Sequence, residues 1–193
     1  MRDPDDLVEL FVSCGALLEG HFRLSSGLHS SGYLQCALVL QYPPRAQALG
    51  RRIAERVGDL GATVVLSPAL GGVIIGHEVA RALGVHAIFA ERQDGALTLR
   101  RGFGLSGADR VLVVEDAVTT GGSTRETMEV AVAAGARVVG VGAIVDRSGG
   151  VAAFDVPFQS LLRIDVPTYR PERCPLCAKG LPLVKPGSRP AAS

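Results

Sequence analysis

Tryptophan is absent from the 193-residue chain, and aromatic residues make up only 5% of it. A surface that stacks the bases of single-stranded nucleic acid needs several exposed aromatic rings, so this kind of binding is not expected. An excess of charge of one sign is also lacking, since the formal net charge is +1. We therefore expect a small-molecule substrate, with neither nucleic acid nor a membrane as a partner.

Long apolar runs are missing as well. The longest, such as VVGVGAIV, are too short to cross a bilayer, and the amino-terminal MRDPDDLVEL is acidic, unlike a signal sequence. The four cysteines are too few for a dense disulfide framework in a chain of this length. These features predict a soluble protein in the reducing cytoplasm.

One pair of cysteines, Cys174 and Cys177, has the spacing of metal ligands. A structural zinc needs four ligands, and no second pair with this spacing exists in the chain. Cys14 and Cys36 could complete a site only if the fold or a dimer partner brought them close. The alternative is a tight proline-containing turn with two buried or idle thiols. The sequence leaves both possibilities open.

The order of helical and apolar segments predicts an α/β fold. A helical pattern over Asp3–Leu18 precedes a Ser- and Gly-rich loop or short hairpin over Gly20–Tyr33. Helices then alternate with continuous apolar strands, which indicates a central, mostly parallel sheet flanked by helices. The predicted strands are Ala62–Ser67, Val85–Ala90, Val111–Glu115 and Val138–Val145. The predicted helices are Pro44–Val57, one that follows the glycine turn Gly71-Gly72 and ends at Leu83, and Arg125–Ala134 beginning near Ser123.

We predict one domain over residues 1–193. Its parts are an N-terminal helix and small hood (1–43), an α/β core (44–165) and a C-terminal extension (166–193). Residues 92–110 follow neither the helical nor the strand period, and long loops of this kind in compact domains are often functional lids. The tail beyond Lys179 is rich in Pro and Gly, and we expect its last few residues to be mobile.

The stretch VLVVEDAVTTGGST, Val111–Thr124, carries the chemistry. Its strand delivers Glu115 and Asp116 to the sheet edge, where carboxylates can accept hydrogen bonds from vicinal sugar hydroxyls. Gly121 and Gly122 leave backbone N–H groups bare, and the helix start that follows favours phosphate. A plain turn would not need two acids at this position, so the stretch predicts a ribose 5-phosphate site. Further hydroxyl donors are Thr119, Thr120, Ser123 and Thr124.

Four apolar residues, an acid pair and TTGGST resemble the signature of type I phosphoribosyltransferases that binds PRPP (5-phosphoribosyl 1-diphosphate). The resemblance implies that family's fold, with Glu115 and Asp116 on the ribose hydroxyls and Asp116 counted among the catalytic residues. It also implies Mg²⁺, held mainly through PRPP and waters rather than by direct protein ligands. The implied PRPP contacts in this stretch are Glu115, Asp116, Ala117, Val118, Thr119, Thr120, Gly121, Gly122 and Ser123.

Three further segments resemble orotate phosphoribosyltransferases. HFRLSSGLHS, within Gly20–Tyr33, is similar to the entrance segment of that family. Asp146-Arg147 is similar to an Asp-Arg pair whose arginine faces the orotate carboxylate, and CPLC…GLPLVKPGSR is similar to the C-terminus of one branch. The resemblance spans nearly the whole chain. It implies transfer of the 5-phosphoribosyl group from PRPP to orotate, which gives orotidine 5′-monophosphate and pyrophosphate in de novo pyrimidine synthesis.

The expected orotate contacts are Arg147, Thr119 and Tyr33. A guanidinium can bind the orotate carboxylate in a bidentate manner, and the family pattern implies that Thr119 contacts the base from the other side. Tyr33 could line the base pocket. The alternatives are a surface arginine paired with Asp146, and a half-buried tyrosine that holds its loop.

The expected pyrophosphate contacts depart from the family pattern. Leu70 and Gly71 lie in a second bare-backbone turn, where the family often has a lysine, and Ser25 stands at the place of the family's entrance lysine. The lid also lacks the usual lysines and histidine. Arginine can neutralise pyrophosphate but cannot give up a proton near neutral pH, so we predict an electrostatic catalytic role for the lid cations. These are Arg92, Arg100 and Arg101, together with Arg110 at the end of the lid.

The family's lid closes over PRPP from the neighbouring subunit, which implies a homodimer. The alternative is a solvated lid with incidental charge. Two rival functions also remain open at this stage. One is a phosphoribosyltransferase for another purine or pyrimidine base, which would not need Arg147. The other is a non-catalytic regulator on the same fold that senses PRPP or a nucleotide.

Overall fold

The computed structural model of the chain describes residues 4–24 and 27–185. Two compact units are formed, one from residues 1–38 and 165–193 and the other from residues 39–164. We refer to them as the smaller unit and the larger unit. The predicted division into hood, core and extension stays a prediction. Ser25 and the end of the tail, residues 186–193, lie outside the described residues.

The smaller unit contains a three-stranded antiparallel sheet in the order β1-β2-β9. Its predicted hairpin is confirmed, since β1 and β2 pair antiparallel over part of Gly20–Tyr33. Buried apolar side chains of this unit include Leu7 and Phe11. Its elements are α1 (Pro4–Ser13), β1 (Leu17–Arg23), β2 (His29–Leu34), β9 (Thr168–Tyr169), a 3₁₀ turn (Pro171–Arg173) and α6 (Pro175–Ala178), and α2 (Ala37–Leu40) begins in it.

The first helix is shorter than the sequence predicted. The helical pattern over Asp3–Leu18 ends at Ser13 in the structure, and Leu17 already belongs to β1. Gly15 has a φ of +64°. Its N–H bonds to Val12 O at 2.9 Å, and the N–H of Ala16 bonds to Phe11 O at 2.8 Å. This is the hydrogen-bond pattern with which a glycine commonly ends a helix.

A six-stranded sheet forms the centre of the larger unit, in the order β5-β4-β3-β6-β7-β8. All neighbouring strands are parallel except β5, which is antiparallel to β4. The predicted central, mostly parallel sheet is therefore confirmed. The strands are β3 (Val64–Pro68), β4 (His86–Gln93), β5 (Ala96–Leu99), β6 (Arg110–Val118), β7 (Arg137–Asp146) and β8 (Phe158–Arg163).

Helices cover both faces of this sheet. They are α3 (Pro43–Val57), followed by a 3₁₀ turn (Gly58–Leu60), α4 (Gly71–Leu83) and α5 (Gly122–Ala133). Gly76 of α4 lies against Val65 and Ser67, whereas Ala131 of α5 joins a cluster with Val64 and Leu66. Alternate residues of a strand point to opposite faces, so α4 and α5 lie on opposite sides. No helix among the described residues is long and apolar enough to cross a membrane.

The predicted lid is only partly irregular. The sequence predicted no secondary structure over residues 92–110, but Arg92 and Gln93 continue β4, and Ala96–Leu99 form β5. The two strands are joined by Asp94 and Gly95, whose φ angles are +51° and +89°. An Asp-Gly pair with positive φ at both positions is typical of a two-residue hairpin turn. The irregular segment is thereby reduced to residues 100–109.

Candidate active site

The carboxyl ends of β3 and β6 meet at one edge of the parallel sheet, where they border a cavity of about 250 Å³. Ligand sites of open parallel sheets lie at this edge. Six of the predicted PRPP contacts line the cavity, namely Gly71, Arg92, Glu115, Asp116, Ala117 and Ser123, and the other lining residues are Pro68, Ala69 and Leu97. The structure thus brings together residues that the sequence places on four separate elements.

The acid pair is held in place at the end of β6. Glu115 is buried, and its Oε2 accepts a hydrogen bond of 2.6 Å from Ser123 Oγ. Asp116 Oδ1 accepts one of 2.9 Å from the backbone N–H of Ala117. A Cβ atom on Gly71 would lie only 2.7 Å from Asp116 Oδ1, so this close approach requires glycine at position 71. The turn with Gly71 and the turn that ends at Ser123 therefore hold the two acids in place.

Burial makes these carboxyl groups reluctant to ionise. It raises the pKa of Glu115 to about 8, with the neighbouring Asp116 adding to the rise and the hydrogen bond from Ser123 opposing it. Burial also raises the pKa of Asp116. Two adjacent acids of this kind share a proton more readily than they carry two charges. A ligand that donates hydrogen bonds or brings positive charge would lower both pKa values.

The raised pKa of Glu115 predicts a pH-dependent stability for the unliganded protein. A carboxyl whose pKa is higher in the folded state than its ordinary 4.5 contributes stability that is fully present below about pH 4.5. That contribution is lost as the pH rises through about 8. Glu115→Gln removes the titrating group, so we expect its melting temperature to fall less between pH 5 and pH 8 than that of the wild type.

The measurement is a series of thermal melts of the two proteins over this pH range. Glu55→Gln is the matched control, because Glu55 is an exposed residue of α3 in the same unit. It should follow the wild-type curve. Identical pH profiles for wild type and Glu115→Gln would contradict the raised pKa.

The predicted phosphate turn connects β6 to α5. Thr119 and Thr120 are exposed, Gly121 has a φ of +76°, and α5 begins at the next residue. The first N–H groups of a helix lack intrahelical partners and attract anions. The predicted strand and helix on either side of this turn are confirmed, although β6 runs on to Val118.

Arg125 supports this turn, and the sequence analysis did not single it out. Its guanidinium donates a hydrogen bond of 2.9 Å to Thr120 O and one of 3.1 Å to Ala153 O. The same group lies 5.3 Å from the ring centre of Phe154. A positively charged residue directly after TTGGST was the signal in the sequence that could have pointed to Arg125. Its backbone partner Ala153 lies 28 residues further along the chain, so local sequence does not reveal this contact.

Arg147 lies beside the phosphate turn, as predicted. It follows β7 directly, and its backbone N–H donates a hydrogen bond of 2.8 Å to Val118 O at the end of β6. Asp146 is buried and accepts hydrogen bonds from the N–H of Ser148 at 2.9 Å and from Arg163 Nε at 3.1 Å. Although burial opposes it, these bonds hold the pKa of Asp146 below its usual value. Asp146 thus fixes the chain around Arg147.

The arginines of the predicted lid differ from one another in the residues that they contact. Arg92 forms an ion pair of 2.8 Å with Glu126, and Arg101 makes two hydrogen bonds of 2.7 Å to Glu91. Both arginine side chains are at least half exposed, so these pairs hold the guanidinium groups only weakly. Arg100 is exposed. Of the predicted lid cations, Arg92 is the one that lines the cavity.

Leu70 and Tyr33 are two further predicted contacts. Leu70 is 88% exposed and lies immediately before α4, so its side chain makes little contact with the larger unit. Tyr33 belongs to β2 in the smaller unit, where its hydroxyl donates a hydrogen bond of 2.9 Å to Gln35 Oε1. Its ring lies 5.8 Å from that of Phe22. Its predicted role in binding the base stays a prediction.

Comparison with known proteins gives close relatives over nearly the full length. The orotate phosphoribosyltransferase of Carboxydothermus hydrogenoformans is 55% identical over 186 residues, which cover 95% of this chain and 97% of the relative. That of Pelotomaculum thermopropionicum is 53% identical over 185 residues, which cover 96% and 97%. This chain belongs to the orotate phosphoribosyltransferase family. No family model matches the chain.

Solved structures agree with this membership. The orotate phosphoribosyltransferase of Aeropyrum pernix superposes with a TM-score of 0.69 at 25% identity, covering 82% of this chain and 93% of the other. That of Mycobacterium tuberculosis, in complex with inorganic phosphate, gives a TM-score of 0.68 at 27% identity, with coverage of 83% and 95%. The type I phosphoribosyltransferase fold is therefore confirmed.

Membership of the orotate phosphoribosyltransferases also establishes the reaction. The protein is a pentosyltransferase that transfers the 5-phosphoribosyl group of PRPP to orotate. The products are orotidine 5′-monophosphate and pyrophosphate, in pyrimidine biosynthesis. The function predicted from the sequence is confirmed at this level, and it is favoured over transfer to another base and over a non-catalytic regulator.

Proposed function

We propose that the cavity of the larger unit binds PRPP and that Glu115 and Asp116 accept hydrogen bonds from its ribose hydroxyls. The observation that supports this most strongly is the acid pair of buried Glu115 and half-buried Asp116, which lies beside a glycine turn and a helix start in one cavity. The turn from Ala117 to Ser123 then receives the 5′-phosphate through backbone N–H groups and hydroxyls. A ribose 5-phosphate matches both halves of this arrangement.

The leaving pyrophosphate is proposed to lie against the turn with Leu70 and Gly71. The exposed leucine offers no charge there, so the positive charge has to come from arginines of the lid. Arg92 already lines the cavity, and Arg100 and Arg101 follow on the next irregular segment. In this proposal their guanidinium groups stabilise the negative charge that develops on pyrophosphate as the bond to C1 lengthens. The positive charge on the ribose faces Asp116.

Mg²⁺ is the proposed cofactor. The cavity fits a hard cation, because its charged acceptors are two carboxylates, Glu115 and Asp116, and no sulfur or imidazole lines it. The ion would be held mainly by PRPP oxygens and water, with these acids nearby. Its contribution when bound is to neutralise part of the charge on the pyrophosphate.

Orotate is proposed to bind between Arg147 and Thr119. Arg147 and Thr119 both lie at the carboxyl edge of the sheet, one after β7 and the other after β6. The guanidinium of Arg147 would pair with the orotate carboxylate through two parallel hydrogen bonds. This pairing would place the ring nitrogen of orotate where it can attack C1.

We further propose that the protein is a homodimer in which the lid of each subunit reaches the active site of the other through Arg100 and Arg101. A location in the cytoplasm is also proposed, and it is supported by the small number of cysteines, four in a chain of 193 residues. The dimer can be tested with two inactive variants, a lid variant Arg100→Ala/Arg101→Ala and a site variant Asp116→Asn. Subunits of the two are mixed under exchange conditions and assayed.

Random mixing makes about half of the dimers hybrids, and each hybrid carries one intact combination of lid and site. We therefore expect the mixture to recover about a quarter of wild-type activity. The same mixture without subunit exchange is the control and should stay as inactive as its components. If the exchanged mixture also stays inactive, the lid acts within its own subunit and the proposal is wrong.

A further inference from the structure

Four potential metal ligands converge in the smaller unit. His21 Nε2 lies 3.6 Å from the sulfur of Cys174 and 3.6 Å from that of Cys177. His29 Nδ1 lies 3.3 Å from the Cys177 sulfur and 2.9 Å from His21 Nε2. All four ligand atoms lie within 4.8 Å of one another. Two of the four histidines and two of the four cysteines of the chain therefore meet at one point.

These spacings match a tetrahedral zinc site. With bonds of about 2.05 Å to nitrogen and about 2.3 Å to sulfur, a tetrahedron places nitrogen and sulfur ligands about 3.6 Å apart. Three of the four nitrogen–sulfur distances lie at or slightly below this value, and the fourth, between His29 and Cys174, is at most 4.8 Å. We propose that His21, His29, Cys174 and Cys177 bind one structural Zn²⁺ ion.

Local structure explains how the ligands meet. The pairing of β1 and β2 shifts register between Glu19 and Phe22, which marks a bulge. Both His21 and Phe22 are buried as a result, although neighbouring strand residues normally point to opposite faces. Cys174 immediately precedes α6 and Cys177 lies within it, so one helical turn brings both sulfurs to the same side.

The surroundings of His21 fix which of its nitrogens can bind a metal. Its Nδ1 lies 2.9 Å from the backbone oxygen of Leu181 and donates a hydrogen bond to it. The other nitrogen, Nε2, faces the two sulfurs and is the one available to a metal. Histidine ligands of zinc commonly donate their second N–H to a carbonyl in this way.

The charges of the ligands and the small size of this unit also favour a bound zinc ion. The two negative charges of the cysteine thiolates balance the two positive charges of Zn²⁺. This balance matters because three of the four ligand residues are buried, where an unbalanced charge would be poorly solvated. Ligands of the N₂S₂ type select zinc over magnesium or calcium. The site ties the β1–β2 hairpin to a segment about 150 residues later, within a unit whose described residues form three short strands. Clips that close long loops stabilise small units of this kind.

The first test is the metal content of the full-length protein, purified without chelators and with any affinity tag removed. We expect about one zinc per chain by mass spectrometry of metals. Cys177→Ser and His21→Ala should each lower this ratio at least fivefold. Cys14→Ser and His86→Ala are the matched controls, since these residues lie outside the cluster, and both should keep the wild-type ratio.

The second test uses the wild type, so that it does not depend on whether a variant folds. Replacing the metal with Co²⁺ should give the visible absorption of a tetrahedral site and a thiolate charge-transfer band, and chelation should lower the melting temperature by about 10 °C. Wild type without zinc and without a tetrahedral Co²⁺ spectrum would overturn the proposal. So would a disulfide between Cys174 and Cys177, or zinc that stays bound in both cluster variants.

Discussion

Asp116→Asn is expected to lower kcat/KM for PRPP about 100-fold. Asparagine has nearly the same shape, but it lacks the negative charge that strengthens hydrogen bonds to the ribose hydroxyls and that faces the developing positive charge on the ring. A hydrogen bond to a charged group contributes about 1.5–3 kcal/mol, and 1.4 kcal/mol corresponds to a factor of ten. Steady-state kinetics with varied PRPP measure the effect directly.

The fold should not suffer from this change. Burial raises the pKa of Asp116, so the charged form is held at a cost in the unliganded protein. The melting temperature of Asp116→Asn should therefore equal or exceed that of the wild type. Asp59→Asn is the control, because Asp59 is exposed and lies before β3, at the opposite end of that strand from the cavity. Unchanged PRPP kinetics in Asp116→Asn would remove this carboxylate from the ribose site.

Arg147→Ala is expected to raise the KM for orotate about 100-fold and to change the KM for PRPP far less. Loss of a bidentate pair between a guanidinium and a carboxylate removes two charge-assisted hydrogen bonds and leaves the orotate carboxylate without its partner. The binding of orotate is then weakened by a few kcal/mol, whereas the binding of the sugar phosphate is not. Initial rates with each substrate varied in turn separate the two effects.

Arg137→Ala provides a control on the same strand. Arg137 is exposed at the first residue of β7, whereas Arg147 follows the last. Removing it changes the net charge by the same amount at the other end of the strand, and both KM values should stay near those of the wild type. Equal rises in the two KM values of Arg147→Ala would mean that this arginine does not bind the base.

The central part of the site could be predicted from the sequence because its information is local. The strand, acid pair, glycine turn and helix start all lie within Val111–Thr124, and each has its own residue preference. The structure confirms this succession and adds that Gly71 packs against Asp116. Contacts of that kind depend on how β3 and β6 pair, which local patterns do not specify.

The lid shows how a short signal can be missed. Asp94-Gly95 is a strong hairpin turn, but the surrounding residues are polar and give no clear strand alternation. The flanking strand β5 gains its stability from pairing with β4 and from burying Leu97 in the core of the larger unit. Such tertiary effects override weak local preferences.

Cys174 and Cys177 lie next to two histidines that the sequence analysis did not connect with them. Their spacing is that of metal ligands, and the sequence offers Cys14 and Cys36 as further ligands only if the fold or a dimer partner brings them close. Among the described residues, the cluster instead contains His21 and His29 from the first hairpin. A bulge in β1 directs His21 inward, and the sequence does not reveal a bulge when the local pattern is already irregular.

The most direct test of the whole account is a comparison of acceptor bases. The purified protein is incubated with PRPP, Mg²⁺ and either orotate, uracil or a purine base, and the loss of orotate absorbance or the formation of each nucleotide is followed. We expect rapid formation of orotidine 5′-monophosphate and at least about 100-fold slower use of the other bases, since only orotate carries the carboxylate for Arg147. Turnover of another base without turnover of orotate would contradict it.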